Sequence, residues 1–213
     1  MKTKKLLALL MAGAMSVSVL SGCGGSAAKT DDSSADAADT SASAESDVDY
    51  VKSNGKLVIG ITDFAPMDYK EDSSDEWVGF DADMAKAFAE SLGVKAEFIE
   101  INWDNKIMEL DSKGVDAVWN GMTLTDEVKT SMNCSDPYAT NAQVVVPSDK
   151  ADAAKDIESI KDMTFAVESG SAGEAAAQAA GLNATAVQSQ ADALMEVAAG
   201  TSDACVIDLL MAG

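Results

Sequence analysis

Histidine and arginine are both missing from this 213-residue chain, and its 15 basic residues are all lysine. Without histidine there is no imidazole for proton transfer near neutral pH, no Ser-His-Asp triad and no His-ligated zinc. Without arginine nothing can clamp a carboxylate through a two-pronged guanidinium fork. Positive charge is scarce as well, with 15 basic residues against 36 acidic ones and a formal charge of −21. A field of that sign repels nucleic acid and anionic lipid headgroups, so neither is an expected partner. No metal or cofactor is expected either. Cysteine and tryptophan occur three times each, few enough for their positions to be argued one by one.

The N-terminus carries Met1-Lys2-Thr3-Lys4-Lys5, an apolar run from Leu6 to Leu20, and then Ser21-Gly22-Cys23. A basic start, a short apolar core and small residues before a junction have the layout of a secretory signal, here residues 1–22. The run is too short to span a bilayer comfortably. Leu20-Ser21-Gly22-Cys23 resembles the lipobox of bacterial lipoproteins, which implies that Cys23 receives a diacylglyceryl group and becomes the first residue. An ordinary cleaved signal with a chance cysteine at the junction is the plainer alternative. Removing residues 1–22 takes away three lysines and no acid, leaving 12 lysines against 36 acids and a charge of −24.

Residues 24–49 are nearly all small or acidic, with Val48 the one large apolar side chain. Such a segment buries too little to offset its ordering entropy, so residues 23–49 are expected to be a disordered tether. Cys134 and Cys205 remain, one in a polar segment and one in an apolar strand. A disulfide is permitted outside the cytoplasm, but two isolated cysteines read better as free thiols.

The folded body is expected from Tyr50. Lys56–Thr62 reads as a buried strand. Phe80, Met84, Phe88 and Leu92, spaced by four with small Ala85 and Ala89 beside them, read as the stripe of an amphipathic helix stopped by Gly93. Val94–Ile101 follows as a strand, Asp104–Lys113 as a helix and Val115–Trp119 as a short strand, which together imply a parallel sheet. A short helix opens at Thr125-Asp126-Glu127, and Ala142–Val146 is a crossing strand closed by Pro147. The alternation then restarts: strand Met163–Glu168, helix Gly173–Ala180, strand Ala184–Gln188, helix Ala191–Ala199, strand Asp203–Asp208. Two α/β units joined by one segment outline two lobes with a cleft, at the carboxyl ends of the strands. The apolar ending Val206–Ala212 leads to the expectation that the chain is a fragment whose C-terminal part is missing.

From Lys56 to Gly213 the chain resembles the solute-binding proteins of amino-acid ABC transporters, periplasmic-binding-protein-like, type II. The resemblance rests on five segments in order: Gly79-Phe80-Asp81-Ala82-Asp83-Met84, Asn120 to Glu127, Ser135-Asp136-Pro137-Tyr138, Glu168-Ser169-Gly170-Ser171 and Asp203 to Asp208. It implies an α/β fold of two lobes, each a mostly parallel sheet flanked by helices. Residues 50–141 would form lobe 1, 142–147 the hinge-crossing strand and 148–213 a truncated lobe 2.

The resemblance also implies that ligand lies between lobes that close around it. Asp63, Phe64, Trp103, Asn120, Gly121 and Thr123 would form the first-lobe wall, with the aromatic rings stacking on the ligand. From the second lobe, the Ser171 and Ala172 amides at a helix start suit a carboxylate. Asp208 matches the acid that pairs with an α-ammonium group. Trp103 reads equally well as core, and Thr125 reads better as a helix cap than as a ligand contact. Many relatives carry an arginine where this chain has Val128. Either Lys129 and the Ser171 loop take the carboxylate instead, or the ligand is not a standard α-amino acid. Glu168, with Asp63, Asp208 and the aromatics, would favour a cationic ligand.

These readings describe the binding component of an ABC importer for an amino acid or related small polar nitrogen compound, with membrane permease subunits as partners. It would be held by Cys23 to the outer face of a cell membrane. The rivals are a sensory lipoprotein and an enzyme on the same fold. Cys23→Ser should release the protein from the membrane fraction or block its processing. Unchanged membrane association and mobility on a gel would defeat the lipid assignment.

Overall fold

Apolar strands flanked by short helices set the architecture from residue 56 onward. The structure, a computed structural model, describes residues 46–149 and 155–213. The expected signal peptide, Cys23 and all but the last residues of the expected tether lie outside them. Helix α1 (Asp47–Asn54) starts three residues earlier than the expected folded body. Asp47 and Asp49 complement its N-terminal dipole, Val51 is buried, and left-handed Gly55 ends it.

Strand β1 (Lys56–Ile61) is the centre of the first sheet. It pairs in parallel with β4 (Lys95–Glu100) on one side and β5 (Ala117–Val118) on the other. Between β1 and β4 the chain makes a small antiparallel hairpin, β2 (Tyr69–Lys70) and β3 (Trp77–Val78), which sequence reading had not singled out, and then helix α2 (Phe80–Ser91). After β4 a 3₁₀ turn, Trp103–Asn105, leads into α3 (Lys106–Asp111), and α4 (Asp126–Ser131) follows β5.

The second sheet runs β6-β9-β7-β8. Strand β6 (Gln143–Pro147) is antiparallel to β9 (Ala204–Asp208), whereas β7 (Thr164–Glu168) is parallel to both β9 and β8 (Asn183–Val187). The strand expected to form the hinge crossing is thus an edge strand of this sheet. Period-two alternation divides the central strands. Phe165, Val167, Ala204 and Val206 pack with Ala177 of α5 (Ala172–Ala179), while Ala166, Cys205 and Ile207 pack with Ala193 and Val197 of α6 (Gln190–Ala199). Both faces are covered, which is why these strands read as unbroken apolar runs. A last turn, α7 (Leu209–Ala212), follows β9. The two sheets lie in one compact unit. Cys134 is exposed and Cys205 buried, both as free thiols.

Helix α2 corrects the sequence reading of its buried face. Ala82, Ala85 and Ala89 are completely buried, while Phe80, Met84 and Phe88 are 52%, 36% and 47% exposed. Small side chains let the helix axis approach β1 closely, so Ala85 and Ala89 pack with Leu57, Ile59 and Ile61. The large residues are left at the rim, where Phe80 stacks near Tyr138 and Phe88 tilts against Trp119.

The approach angle of α2 is fixed at Gly79. Its φ of +122° is unavailable to most side chains, and a Cβ there would fall 2.3 Å from the Met67 carbonyl. That carbonyl receives the Asp81 and Ala82 amides, so the start of α2 is pinned to the loop before β2. This brings together two fully buried carboxyls, Asp68 and Asp81. Asp81 Oδ2 accepts from the Gly121 amide and from the Tyr138 hydroxyl at 2.9 Å, whereas both Asp68 oxygens have no partner. Burial first, then the neighbouring Asp81, pushes the Asp68 carboxyl up to about 8. Burial raises the Asp81 carboxyl too, but its donors Tyr138 and Gly121 oppose the rise, so of the two Asp81 ionises first and Asp68 keeps the proton.

An acid whose folded pKa lies above its unfolded value stabilises the fold at low pH and loses that contribution as pH rises through the folded value. Asp68 should therefore make the protein less stable at pH 8.5 than at pH 5, and Asp68→Asn should narrow the difference. Urea melts of both forms at the two pH values check this. An unchanged difference in the variant would show that Asp68 ionises freely.

Candidate functional site

The carboxyl ends of β1, β4, β5, β7 and β9 converge, and with them the side chains that follow each strand. Asn120, just after β5, turns back on β1: its Oδ1 accepts the Thr62 amide at 3.1 Å and its Nδ2 donates to Thr62 Oγ1 at 2.9 Å. Gly121, with φ +60°, lies over Phe64, whose ring would be 2.8 Å from an added Cβ. Thr125 caps α4, its Oγ1 accepting from the Val128 amide at 3.2 Å, the helix-capping role read from sequence.

From the second sheet, Ser171 caps α5, its hydroxyl accepting from Glu174 N at 3.0 Å, while Glu174 reaches back to the Gly170 amide at 2.7 Å. This reciprocal arrangement holds the helix start rigidly. The Ser171 amide is spent on the Glu168 carbonyl at 3.2 Å, so Ala172 rather than Ser171 offers an open first-turn N–H.

These groups enclose a cavity of about 150 Å³. Of the sequence-predicted site residues, Trp103, Asn120, Gly121, Thr123, Glu168, Ser171, Ala172 and Asp208 line it. Asp63 and Phe64 do not. Phe64 is 1% exposed and supports Gly121 from beneath, so it cannot offer a ring face for stacking. Asp63 stands outside the lining, its carboxyl raised by burial and then by Glu100 and Asp192. Trp103 packs with Ile101 and Val115, as the core reading expects, and also lines the cavity. A wider groove of about 830 Å³ shares the Asn120–Thr123 loop but is walled mainly by apolar and neutral groups. The charged side chains gather in the smaller cavity.

Two acids there differ sharply. Asp208 accepts from the side-chain amides of Asn141, Gln143 and Gln190, and its own amide donates to Gln190 Oε1 at 2.8 Å. Neutral amides thus already satisfy the carboxylate to which the resemblance assigns an α-ammonium partner. Glu168 is 2% exposed and its Oε1 has no partner. Burial is the main cause that pushes its carboxyl up to about 7, with Asp208 adding repulsion.

Lysine placement also departs from the sequence reading. Lys129 is exposed, lies 3.8 Å from Asp126 and does not line the cavity. Lys106, which sequence reading passed over, is 8% exposed and does line it. Its Nζ donates to Trp103 O at 3.2 Å and, across to the second sheet, to Gly170 O at 2.9 Å. Trp103 and Lys106 lie three apart where the chain leaves β4 and turns helical, a spacing that puts both on one face. That spacing was the available signal. Gly170 allows the approach: its φ is +70°, and a Cβ would fall 2.6 Å from Asp104 Cα. Among the described residues no group of three or more acids or cysteines is placed to hold a metal ion, and no helix is long and apolar enough to cross a membrane.

Comparison with known proteins gives a consistent result. The family model of bacterial extracellular solute-binding proteins, family 3, matches residues 57–199. An arginine-binding extracellular protein of Bacillus subtilis is 38% identical over 117 residues, 54% of this chain and 45% of that protein. An L-cystine-binding protein of the same organism is 30% identical over 208 residues, 97% of this chain and 74% of that protein. This chain thus spans about half to three-quarters of the length of these relatives. Among solved structures, a truncated, arginine-bound form of ArgBP from T. maritima superposes with a TM-score of 0.73 at 34% identity, covering 77% of this chain and 78% of that one. An ancestral amino-acid-binding protein described as a precursor of cyclohexadienyl dehydratase gives a TM-score of 0.71 at 36% identity, covering 76% and 74%.

The three amides around Asp208 need an acceptor on both its oxygens. Asp208→Asn would turn an NH₂ group toward one of them and should cost about 1.5–3 kcal/mol of stability without any ligand. A urea melt equal to wild type would show that the amides do not depend on the carboxylate.

Proposed function

Because the chain belongs to the bacterial extracellular solute-binding proteins, family 3, with their two-lobed α/β fold, we propose that it captures an amino acid with a cationic side chain outside the cytoplasm and presents it to an ABC importer. The observation that carries the ligand class is Glu168. A buried carboxylate oxygen without a partner is costly, and Glu168, whose Oε1 has none, lines a cavity together with Glu127 and Asp208 against one lysine. A ligand ammonium or guanidinium would supply the missing donor. The arginine-binding relative and the arginine-bound structural neighbour support the same class.

The mechanism is selective binding. Groups from both sheets line the one cavity, so a ligand touching both has more contacts when the lobes are together and shifts the population toward closure. The closed surface would then dock on permease subunits, with Cys23 lipid keeping the protein at the membrane. The relatives are named as binding proteins, which supports binding rather than catalysis.

A thermal-shift and calorimetry screen of L-arginine, L-lysine, L-ornithine, L-glutamine and L-cystine tests this. A ligand at a hundred times its Kd adds about 2.7 kcal/mol, readily seen as a melting shift. The basic amino acids should bind tightest. Their affinity should rise from pH 6 to pH 8 as Glu168 ionises around 7, and Glu168→Gln should abolish that rise with roughly tenfold weaker binding at pH 8. Tighter binding at pH 6, or a preference for neutral amino acids, would overturn the cationic reading.

A further inference from the structure

Lys106 is the one lysine that lines the charged cavity, and its situation is unusual for a buried ammonium. No carboxylate lies within the 4.0 Å that defines an ion pair among the described residues. Its two hydrogen bonds go to main-chain carbonyls, Trp103 O and Gly170 O. An ammonium has three donors, so one remains. Burial lowers its affinity for the proton, an effect opposed by Glu127, Asp104 and Glu168 nearby. Beyond the two carbonyls its ammonium faces the Trp103 ring, 5.2 Å from Nζ to the ring centroid, and a buried charge so held is expensive unless an anion completes its shell.

The geometry places the place for that anion beside α5. Gly170, which Lys106 grips, is followed directly by Ser171 and Ala172 at the start of this eight-residue helix. The Ala172 amide and the Lys106 ammonium are therefore two positive groups close to Gly170, in a cavity that the acids Glu168 and Asp208 line as well. Val128 and the exposed Lys129 leave no other cation for the task among the described residues.

We propose that Lys106, with the start of α5, binds the α-carboxylate of the amino-acid ligand in place of the guanidinium that this chain lacks. The proposal rests on the amino-acid reading above and adds the residue that recognises the acid end. Because the Lys106–Gly170 bond joins the two sheets, the group that reads the carboxylate is also one that holds the lobes together.

Calorimetry with L-arginine and L-argininamide, and with L-glutamine and L-glutaminamide as a second pair, on wild type, Lys106→Met and Lys106→Arg tests this. Amides keep the side chain and α-ammonium but lose the carboxylate charge. Wild type should prefer acid over amide at least tenfold, Lys106→Met should reduce the preference to within twofold, and Lys106→Arg should restore most of it. Melting curves check that each variant is folded, with Lys106→Gln used in place of the methionine variant should that one not fold. A preference that survives loss of the lysine charge, or equal binding of acid and amide to wild type, overturns the role of Lys106 and leaves the ligand class standing. Failure of every acid in the screen to bind wild type overturns the amino-acid reading and this inference together.

Discussion

The Asp81 carboxylate holds the first lobe in its working arrangement. Through Oδ2 it takes the Gly121 amide and the Tyr138 hydroxyl, and through its backbone it is tied to Met67. One side chain at the start of α2 thus fixes the cavity loop and the segment that leads out to the second sheet. Charged hydrogen bonds of this kind are stronger than neutral ones, and the neighbouring Asp68 stays neutral so that the charge is not doubled. The sheet beneath supplies rigidity through Ile59, Ile61 and the alanine face of α2. Without the carboxylate, nothing in that apolar contact would tell Gly121 or Tyr138 where to sit.

The same economy runs through the cavity. Asp208 is satisfied by three amides, Glu168 is left with an open oxygen, and Lys106 with an open donor. The satisfied group sets geometry, and the unsatisfied ones are the groups that gain most from a partner that brings their complement. Oppositely charged open positions suit a zwitterion with an additional positive end. A rigid helix start at Ser171 and a glycine at 170 let the two sides meet without displacing either.

Much of this was legible in the chain. Strand runs and glycine stops located nearly every element of the second lobe to within a residue or two, because buried parallel strands and alanine-rich helices leave strong patterns. The family motifs located most of the lining residues. Three things were hidden. The burial of α2 was read from its large residues, yet close packing selects the small ones, and period alone does not say which face is inward. Phe64 was assigned to the ligand because of its place after β1, whereas the left-handed turn at Gly121 sits on its ring. Lys106 was missed because a lysine after an aromatic is ordinary in sequence; only the fold brings Gly170, distant along the chain, to its ammonium.

The exposed row of Phe80, Met84 and Phe88 gives the acidic composition a second meaning. Molecules carrying such a face attract one another at short range, while a formal charge of −21 pushes them apart at longer range. Mobile ions shorten the reach of that repulsion to about 8 Å at physiological ionic strength and leave the apolar attraction untouched. Colloidal behaviour is then a contest decided by the surrounding electrolyte: dilute buffer keeps copies dispersed, and concentrated salt brings the aromatic rims into contact. The surplus of aspartate and glutamate, neutral with respect to which fold forms, governs the company that the folded molecule keeps.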